Sequence, residues 1–404
     1  MGLSKQYKGY TSFQYLEKDK DYKSFKLADE LNRVPAFRLP LSQEQEQRAE
    51  RIVRDNIMIS LHEHLGVFPD GVFETPYYLR EGRMATGFKG LAESCWDAVF
   101  DNLMNGLCQI HSKSGWKWTE VLHDLGIRLS DIAHQDFIIH CRGLEDIFTA
   151  FQEGKIAWVA TMEGCAMIEN ELDRLDILYG FGVRSLGITY SESNALGSGL
   201  KEPRDGGLTV FGRKAVDRMN KLGILIDCSH TGDQTALDTI AHSKKPIILS
   251  HIGAKALWNT RRLAPDEVIR ACADKGGIIG VEAAPHTTLT AKNRVHNLEA
   301  VMEHFEYIKD LVGIDHVSFG PDTVYGDHVG LHHAYTASLS LKESKAQQGK
   351  GMEYTEVEYV EGLENPTEGS YNIVRWLVRE GYSDEDIIKV MGGNAIRVLK
   401  EVWV

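Results

Sequence analysis

Residues 223–251, GILIDCSHTGDQTALDTIAHSKKPIILSH, set two apolar runs, each closing on a histidine, on either side of a segment with helical spacing. Short apolar runs bounded by polar or Gly-rich segments and alternating with helices read as buried parallel strands. The same grammar extends in both directions. Before it lie DFIIHC (136–141), KIAWVATMEG (155–164) and VRSLGITYS (183–191), and after it GGIIGVEA (276–283) and HVSFGPD (316–322). With a first strand at 56–61, in IMISLHEHLG, the count reaches eight, the number a closed parallel barrel takes. Helical segments such as NELDRLDILYGFG (170–182) and NLEAVMEHFEYIKDLVG (297–313) separate the strands. The predicted fold class is therefore α/β, a (β/α)8 TIM-type barrel.

In such barrels the side chains at the carboxyl ends of strands converge on one open face. Five ligand-type side chains stand at those ends: His62 and His64, Glu163, His230 and His251. A single His after a strand is commonly a hydrogen-bonded structural residue, and Glu163 before Gly164 could be no more than a capped strand end. An ordered series of four such ends is harder to produce by accident. A buried carboxylate without a partner is costly, and metal coordination offsets that cost. Imidazole and carboxylate are the ligands that Zn²⁺ and its first-row neighbours take. Side chains at i and i+2 of a strand share a face, so His62 and His64 can bind one ion together while Glu63 points away. The pattern reads as a binuclear metal hydrolase. Asp322, after the Gly-Pro pair of the last strand, reaches the same rim. Asp in a turn is often only a turn former, but beside a metal site it becomes the natural general acid/base.

The remaining composition is consistent with this. At 404 residues and 43% hydrophobic content the chain can fill a barrel of about 250 residues with room for extensions. Residues 1–50 form a polar lead-in with a helix in LSQEQEQRAERIVRDN (41–56), expected to pack on the barrel or on a second subunit, so a homo-oligomer is expected. Residues 51–404 then form the barrel, with 66–135 as an insertion or lid containing the helical stretch LAESCWDAVFDNLMNGLCQIH (91–111). Residues 325–365 read as loop and the tail from Gly369 as helical. A net charge of −13 and a pI near 5.7 argue against nucleic acid as partner. No run approaches the roughly 20 apolar residues of a membrane span, and the N-terminus lacks the apolar core of a signal peptide. A cytoplasmic protein is expected. Six cysteines, Cys95, Cys108, Cys141, Cys165, Cys228 and Cys272, include no CxxC pair and read as reduced core thiols, even Cys165 and Cys228 beside the ligands.

A family resemblance follows from longer words: MEGC (162–165), FGVRSLGITYSESN (181–194), GLTVFGRKAVDRMNKLGILIDCSH (207–230), SHIGAKAL (250–257), RRLAPDEV (261–268), GGIIGV (276–281) and GIDHVSFGPD (313–322). Together with the closing REGYSDEDIIKVMGGNAIRVLKEVW (379–403), they resemble the renal (membrane) dipeptidase family, peptidase family M19, of the amidohydrolase superfamily. The resemblance implies two zinc ions, with His62 and His64 on the first, Glu163 bridging, and His230 and His251 on the second. It implies Asp322 as the catalytic carboxylate and Arg262, or its neighbour Arg261, as the guanidinium that grips a substrate carboxylate; a planar fork suits that task. It thus implies amide hydrolysis in a small, dipeptide-like, carboxylate-bearing substrate.

Two positions depart from the family. His64 stands where the dipeptidases have Asp, a residue implied there to help hold the substrate's amino group, and a neutral ring cannot pair with an ammonium. The loss is comparable to a charged hydrogen bond, roughly 1.5–3 kcal/mol. That opens a second reading, in which the substrate is an N-acyl amino acid, lactone or aromatic carboxylate cleaved at C–N, C–O or C–C. Tyr190 stands where the family has a His facing the scissile carbonyl. Its phenol could donate to a developing oxyanion or form an aromatic wall. A metal-binding scaffold without catalysis is the reading from a different class.

Overall fold

The computed structural model describes residues 4–103, 116–338 and 353–403. Eleven strands among them share one sheet: β1 (Ile59–Val67), β2 (Ala85–Thr86), β3 (Ala98–Asn102), β4 (Ile138–His140), β5 (Ile156–Met162), β6 (Val183–Gly187), β7 (Leu225–Asp227), β8 (Ile248–Ile252), β9 (Ile278–Val281), β10 (Val317–Phe319) and β11 (Val324–Tyr325). Neighbours run β10-β9-β8-β7-β6-β5-β3-β1, all parallel. The chain leaving β10 then bonds back to β1, with Asp322 N donating to His62 O at 3.1 Å and His64 N to Thr323 O at 3.0 Å. Those bonds bring the two ends of the curled sheet together as a TIM-type barrel. The apolar runs are buried because both faces of each strand are covered, by the interior on one side and helices on the other.

From β6 onward the alternation is regular. Helices Val210–Leu222, Asp233–His242, Asp266–Asp274 and Leu298–Val312 separate β6 to β10. Their ends are chemically marked. Thr209 caps the first by accepting from Gly212 N, and Gly223, at φ +76°, ends it in the left-handed conformation that glycine adopts without strain. Inside the barrel, Leu61, Phe100, Val159, Leu225 and Ile248 pack on Val398 and Leu399 of the last helix, Asn394–Val402, which stops the end opposite the metal ligands.

Three expectations change. The second barrel strand is β3, not DFIIHC: the 91–111 stretch is no continuous helix, since residues 98–102 pair along their whole length with β5. Segment 66–135 is therefore not one insertion, because β3 runs through its middle. DFIIHC does supply β4, a short strand that pairs with the start of β5 and lies off the main path. Asp97 and Asp101 disguise β3 in the sequence. Both are buried, Asp97 accepting from Met58 N and pairing with Lys5, and Asp101 accepting from Leu65 N at 3.0 Å and Trp158 Nε1 at 2.7 Å. The third change is a helix, His328–Ser338, in the segment read as loop. Cys108 and the end of the 91–111 stretch lie outside the described residues.

The N-terminal segment wraps the barrel. Tyr10 Oη and Phe13 N donate to Asp131 Oδ1 at 2.8 and 2.9 Å, Ser12 Oγ donates to Asp131 Oδ2 at 2.7 Å, and Leu39 N donates to Asn372 Oδ1 at 3.0 Å. Asp131 is fully buried, so removing its carboxylate strands three donors. Asp131→Ala is expected to lower unfolding free energy by about 3 kcal/mol and to open the segment before Gln43 to proteolysis; a loss below about 1 kcal/mol in denaturant titration would contradict this anchoring.

Candidate metal centre

The five sequence-predicted ligands meet at the carboxyl ends of β1, β5, β7 and β8. Glu163 Oε1 lies 3.1 Å from His62 Nε2, 3.2 Å from His251 Nε2 and 3.6 Å from His230 Nε2. The His230 and His251 Nε2 atoms stand 2.9 Å apart. Asp322 joins from the other side, its Oδ1 at 3.0 Å from His64 Nε2 and 3.4 Å from His62 Nε2. Two ligand groups result, His62–His64–Glu163–Asp322 and Glu163–His230–His251, which share Glu163.

The local backbone explains the convergence. Pairing shifts register between Ser60 and Glu63 in β1, between Ala160 and Thr161 at the β5–β6 ladder, and between Leu249 and Ile252 in β8. Each irregularity sits at a ligand or just before it, where an extra residue re-aims the side chains that follow. It lets Ile59 and Leu61 pack in the interior while His62 and His64, two residues apart, still point into the site. Gly187 makes room beside Glu163, since a Cβ there would meet the Glu163 carbonyl oxygen at 1.9 Å. Asp322 adopts φ +57°, a conformation that Asp tolerates better than most residues.

Outer partners hold the rings in place. Ser250 Oγ bridges His251 Nδ1 at 2.7 Å and Asp227 Oδ2 at 2.6 Å, and Ser191 Oγ lies 3.1 Å from His230 Nδ1. Glu63 turns away from the ligands and takes the backbone N and hydroxyl of Thr323 at 2.8 and 2.6 Å, pinning the residue after Asp322. Burial raises the Glu163 pKa, but the close approach of His230, His251 and His62 outweighs it and holds the carboxyl well below its ordinary value. Asp322 is likewise held low, its burial outweighed by His62 and His64. Burial pulls His230 and His251 down, helped by the Arg262 charge, so both rings are neutral, as ligands must be.

The donor set fits a metal pair. His62 Nε2 and Asp322 Oδ1 are buried without a hydrogen-bond partner, although each has opposite-type neighbours within 3.4 Å. The ligand separations cluster near the edge of a tetrahedron with bonds of about 2 Å, roughly 3.3 Å. All six groups are nitrogen or oxygen donors of the kind zinc and its neighbours accept. None of the ligand groups among the described residues includes a cysteine; burial pushes Cys165 up to about 12 and Cys228 well above its ordinary value, which leaves both as core thiols.

Around the ligands, Tyr190 lays its ring 4.4 Å from that of His230 and 4.8 Å from Trp116. The two arginines separate. Arg261 is exposed and donates to the Lys201 carbonyl at 3.0 Å, while Arg262 is buried and donates to His251 O at 3.0 Å, to Ser229 O at 3.3 Å and to Glu282. Glu282, at the end of β9, was not among the residues singled out from the sequence. Its carboxylate forms a further ligand-distance group with His251 and Asp322. The signal was available, because Glu282 follows the apolar run IIGV just as Glu163 follows its own. Helix His328–Ser338 adds His328 and His332, close enough for their charge state to respond to Asp322.

The profile described as membrane dipeptidase (peptidase family M19) matches residues 46–342. The chain belongs to the membrane dipeptidase family. Among characterised relatives, the dipeptidase tcpJ of Claviceps purpurea is 29% identical over 260 residues, covering 64% of this chain and 54% of the relative. The dipeptidase aclJ of Aspergillus oryzae is 27% identical over 271 residues, covering 66% and 57%. The chain thus spans little more than half the length of these two relatives. The crystal structure of an amidohydrolase from Pseudomonas aeruginosa superposes with a TM-score of 0.70 at 25% identity, covering 88% of this chain and 99% of that one.

In this member of the membrane dipeptidase family, two of the candidate ligand rings are oriented by serine hydroxyls, Ser250 on His251 and Ser191 on His230. Ser250→Ala removes the bridge between Asp227 and His251 without touching a ligand. It is expected to weaken metal binding by about 10–100-fold, read by competition with a chromogenic chelator; unchanged affinity would show that the serine does not orient the ring.

Proposed function

We propose that the chain is a binuclear metal-dependent hydrolase that cleaves an amide bond in a small, dipeptide-like substrate. The observation that carries this reading is the shared carboxylate: Glu163 belongs to both ligand groups, so two ions can sit side by side on one face. His62, His64 and Glu163 would hold the first, and Glu163, His230 and His251 the second. Zinc suits these ligands. Ions held there supply a water acidic enough to react near neutral pH and a Lewis acid for the carbonyl oxygen.

The chain's own residues do the rest. Asp322 Oδ1 stands 3.0 Å from His64 Nε2 and 3.4 Å from His62 Nε2, beside both ligand rings, where it could take a proton from the attacking water and return it to the leaving nitrogen. Thr323, tied to Glu63, keeps that carboxylate on the ligand side of the turn. Tyr190 borders the site from the His230 side, where its phenol could donate to a developing oxyanion or form an aromatic wall. The N-terminal segment, apart from its anchoring to the barrel, leaves a surface on which a second copy of the chain is proposed to pack.

Two measurements test the core of this. Elemental analysis of metal-replete protein is expected to find two ions per chain, and a single ion would contradict the shared-carboxylate reading. Asp322→Asn is expected to lower kcat by at least about 100-fold with metal content unchanged; near-normal turnover in that variant would remove Asp322 from the mechanism.

One observation favours a second substrate class on the same site. His64 offers a ring where an acidic side chain would pair with a free amino terminus, and among the described residues around the ligands it is Asp322, already engaged with His62 and His64, that brings negative charge nearest. N-acylated dipeptides are therefore expected to turn over at least as well as their free-amine counterparts. Turnover confined to free α-amines would overturn that expectation.

A further inference from the structure

Glu282 is a fully buried carboxylate at the end of β9, with one oxygen committed and one not. Its Oε2 accepts from Arg262 Nη2. Its Oε1 is buried without a hydrogen-bond partner, the nearby Thr287 hydroxyl being turned to the Ala284 carbonyl at 2.6 Å. One carboxylate oxygen of Glu282 lies within 4.8 Å of ligand atoms of His251 and Asp322, so the Glu282 carboxylate borders the candidate metal centre. An unsatisfied buried acceptor is destabilising unless something that binds there donates to it.

Arg262 is the other half of the arrangement. One of its terminal nitrogens is spent on His251 O and Glu282, and the other gives one hydrogen to Ser229 O. Burial pushes the Glu282 carboxyl up to about 7, so above that pH the guanidinium's positive charge is matched by a carboxylate in direct contact. A second carboxylate arriving with a substrate would meet the guanidinium only by sharing it with Glu282, bringing two anions together in a desolvated corner. Like charges so placed are a means of rejecting a ligand. A neutral group with both a carbonyl oxygen and an N–H meets no such repulsion: its oxygen can accept from the remaining guanidinium hydrogens, and its N–H can donate to Glu282 Oε1.

We propose that Arg262 and Glu282 act as one donor–acceptor pair that reads an uncharged carboxamide-type end of the substrate and discriminates against a free carboxylate. This rests on the amide-hydrolase reading and replaces the carboxylate-bearing substrate that the family resemblance implies with carboxyl-blocked compounds. Glu282 becomes a specificity-determining residue, and its effect is electrostatic rather than steric.

The test compares a dipeptide with a free carboxyl terminus and the same dipeptide as its carboxamide, on metal-loaded protein at about pH 8.5, where a carboxyl group is ionised. Wild type is expected to favour the carboxamide in kcat/KM. Glu282→Gln keeps size and hydrogen bonding but removes the charge, and it is expected to shift the ratio toward the free acid by about 10–100-fold. That shift should disappear in the Glu282→Gln, Arg262→Met double variant, because the gain comes from the unmasked guanidinium and not from a general loss of negative charge. Calorimetric binding of N-acetylalanine and N-acetylalaninamide to the same proteins reads the preference without turnover. If neither dipeptide is cleaved, the hydrolase reading fails while the binding ratios still decide the pair's role. A wild-type preference for the free acid, a ratio unmoved by Glu282→Gln, or loss of metal from that variant would overturn the proposal.

Discussion

Everything at the open end of the barrel is organised by one buried anion. The Glu163 carboxylate faces three imidazoles within 3.6 Å and is almost entirely shielded from water. An isolated charge in such a place would take up a proton, yet this one remains ionised because donors reach it from three different strands. The constraint runs backward into the fold. Strands β1, β7 and β8 must end at matching heights opposite β5, their ladders must slip at the right residues, and Gly187 must carry no side chain where the Glu163 carbonyl passes.

A second layer of carboxylates surrounds that centre, each satisfied by groups one step away from a ligand. Asp227 takes the hydroxyls of Ser229 and Ser250, Glu63 takes Thr323, and Glu282 takes Arg262. Buried polar networks of this kind rigidify a site when fully satisfied and are costly when one member is lost. Two of the three are fully satisfied. The third keeps an acceptor without a hydrogen-bond partner at Glu282 Oε1, on the carboxylate that reaches ligand distance of His251 and Asp322. That contrast separates residues that position the ligands from a residue that waits for a partner.

The sequence made the later two thirds of the barrel readable because there the rules agree. Each strand from β5 to β10 is an apolar run, each helix has a marked start or stop, and the ligands fall where the runs end. β3 escaped because its neighbours Asp97 and Asp101 are polar letters serving buried backbone and indole donors, and hydrophobic periodicity cannot report a polar side chain that is satisfied inside the core. Helix His328–Ser338 escaped because its histidines and glycine carry little helical patterning. Among site residues, one rule, a ligand-type side chain closing a strand, picks out the six side chains that the fold brings together, His62, His64, Glu163, His230, His251 and Asp322. Glu282 obeys the same rule. It was passed over because an acidic residue with no metal-ligand role expected of it looks like any other strand end until the Arg262 contact is seen.

The division of labour follows from where the two kinds of residue sit. The groups that could activate water and move a proton come from β1, β5, β7, β8 and the turn after β10, and all of them are held by backbone or by short hydroxyl links. His64, Tyr190 and the Arg262–Glu282 pair border the same centre, with Arg262 tied to the carbonyls of Ser229 and His251. Changing charge at these positions alters which charges a substrate may bring, and at the buried Arg262–Glu282 pair it also leaves one charge without its partner. The rim of this chain carries an imidazole at His64 and an arginine, Arg262, in contact with a carboxylate, so its charge pattern is set by side chains other than the shared Glu163 anion.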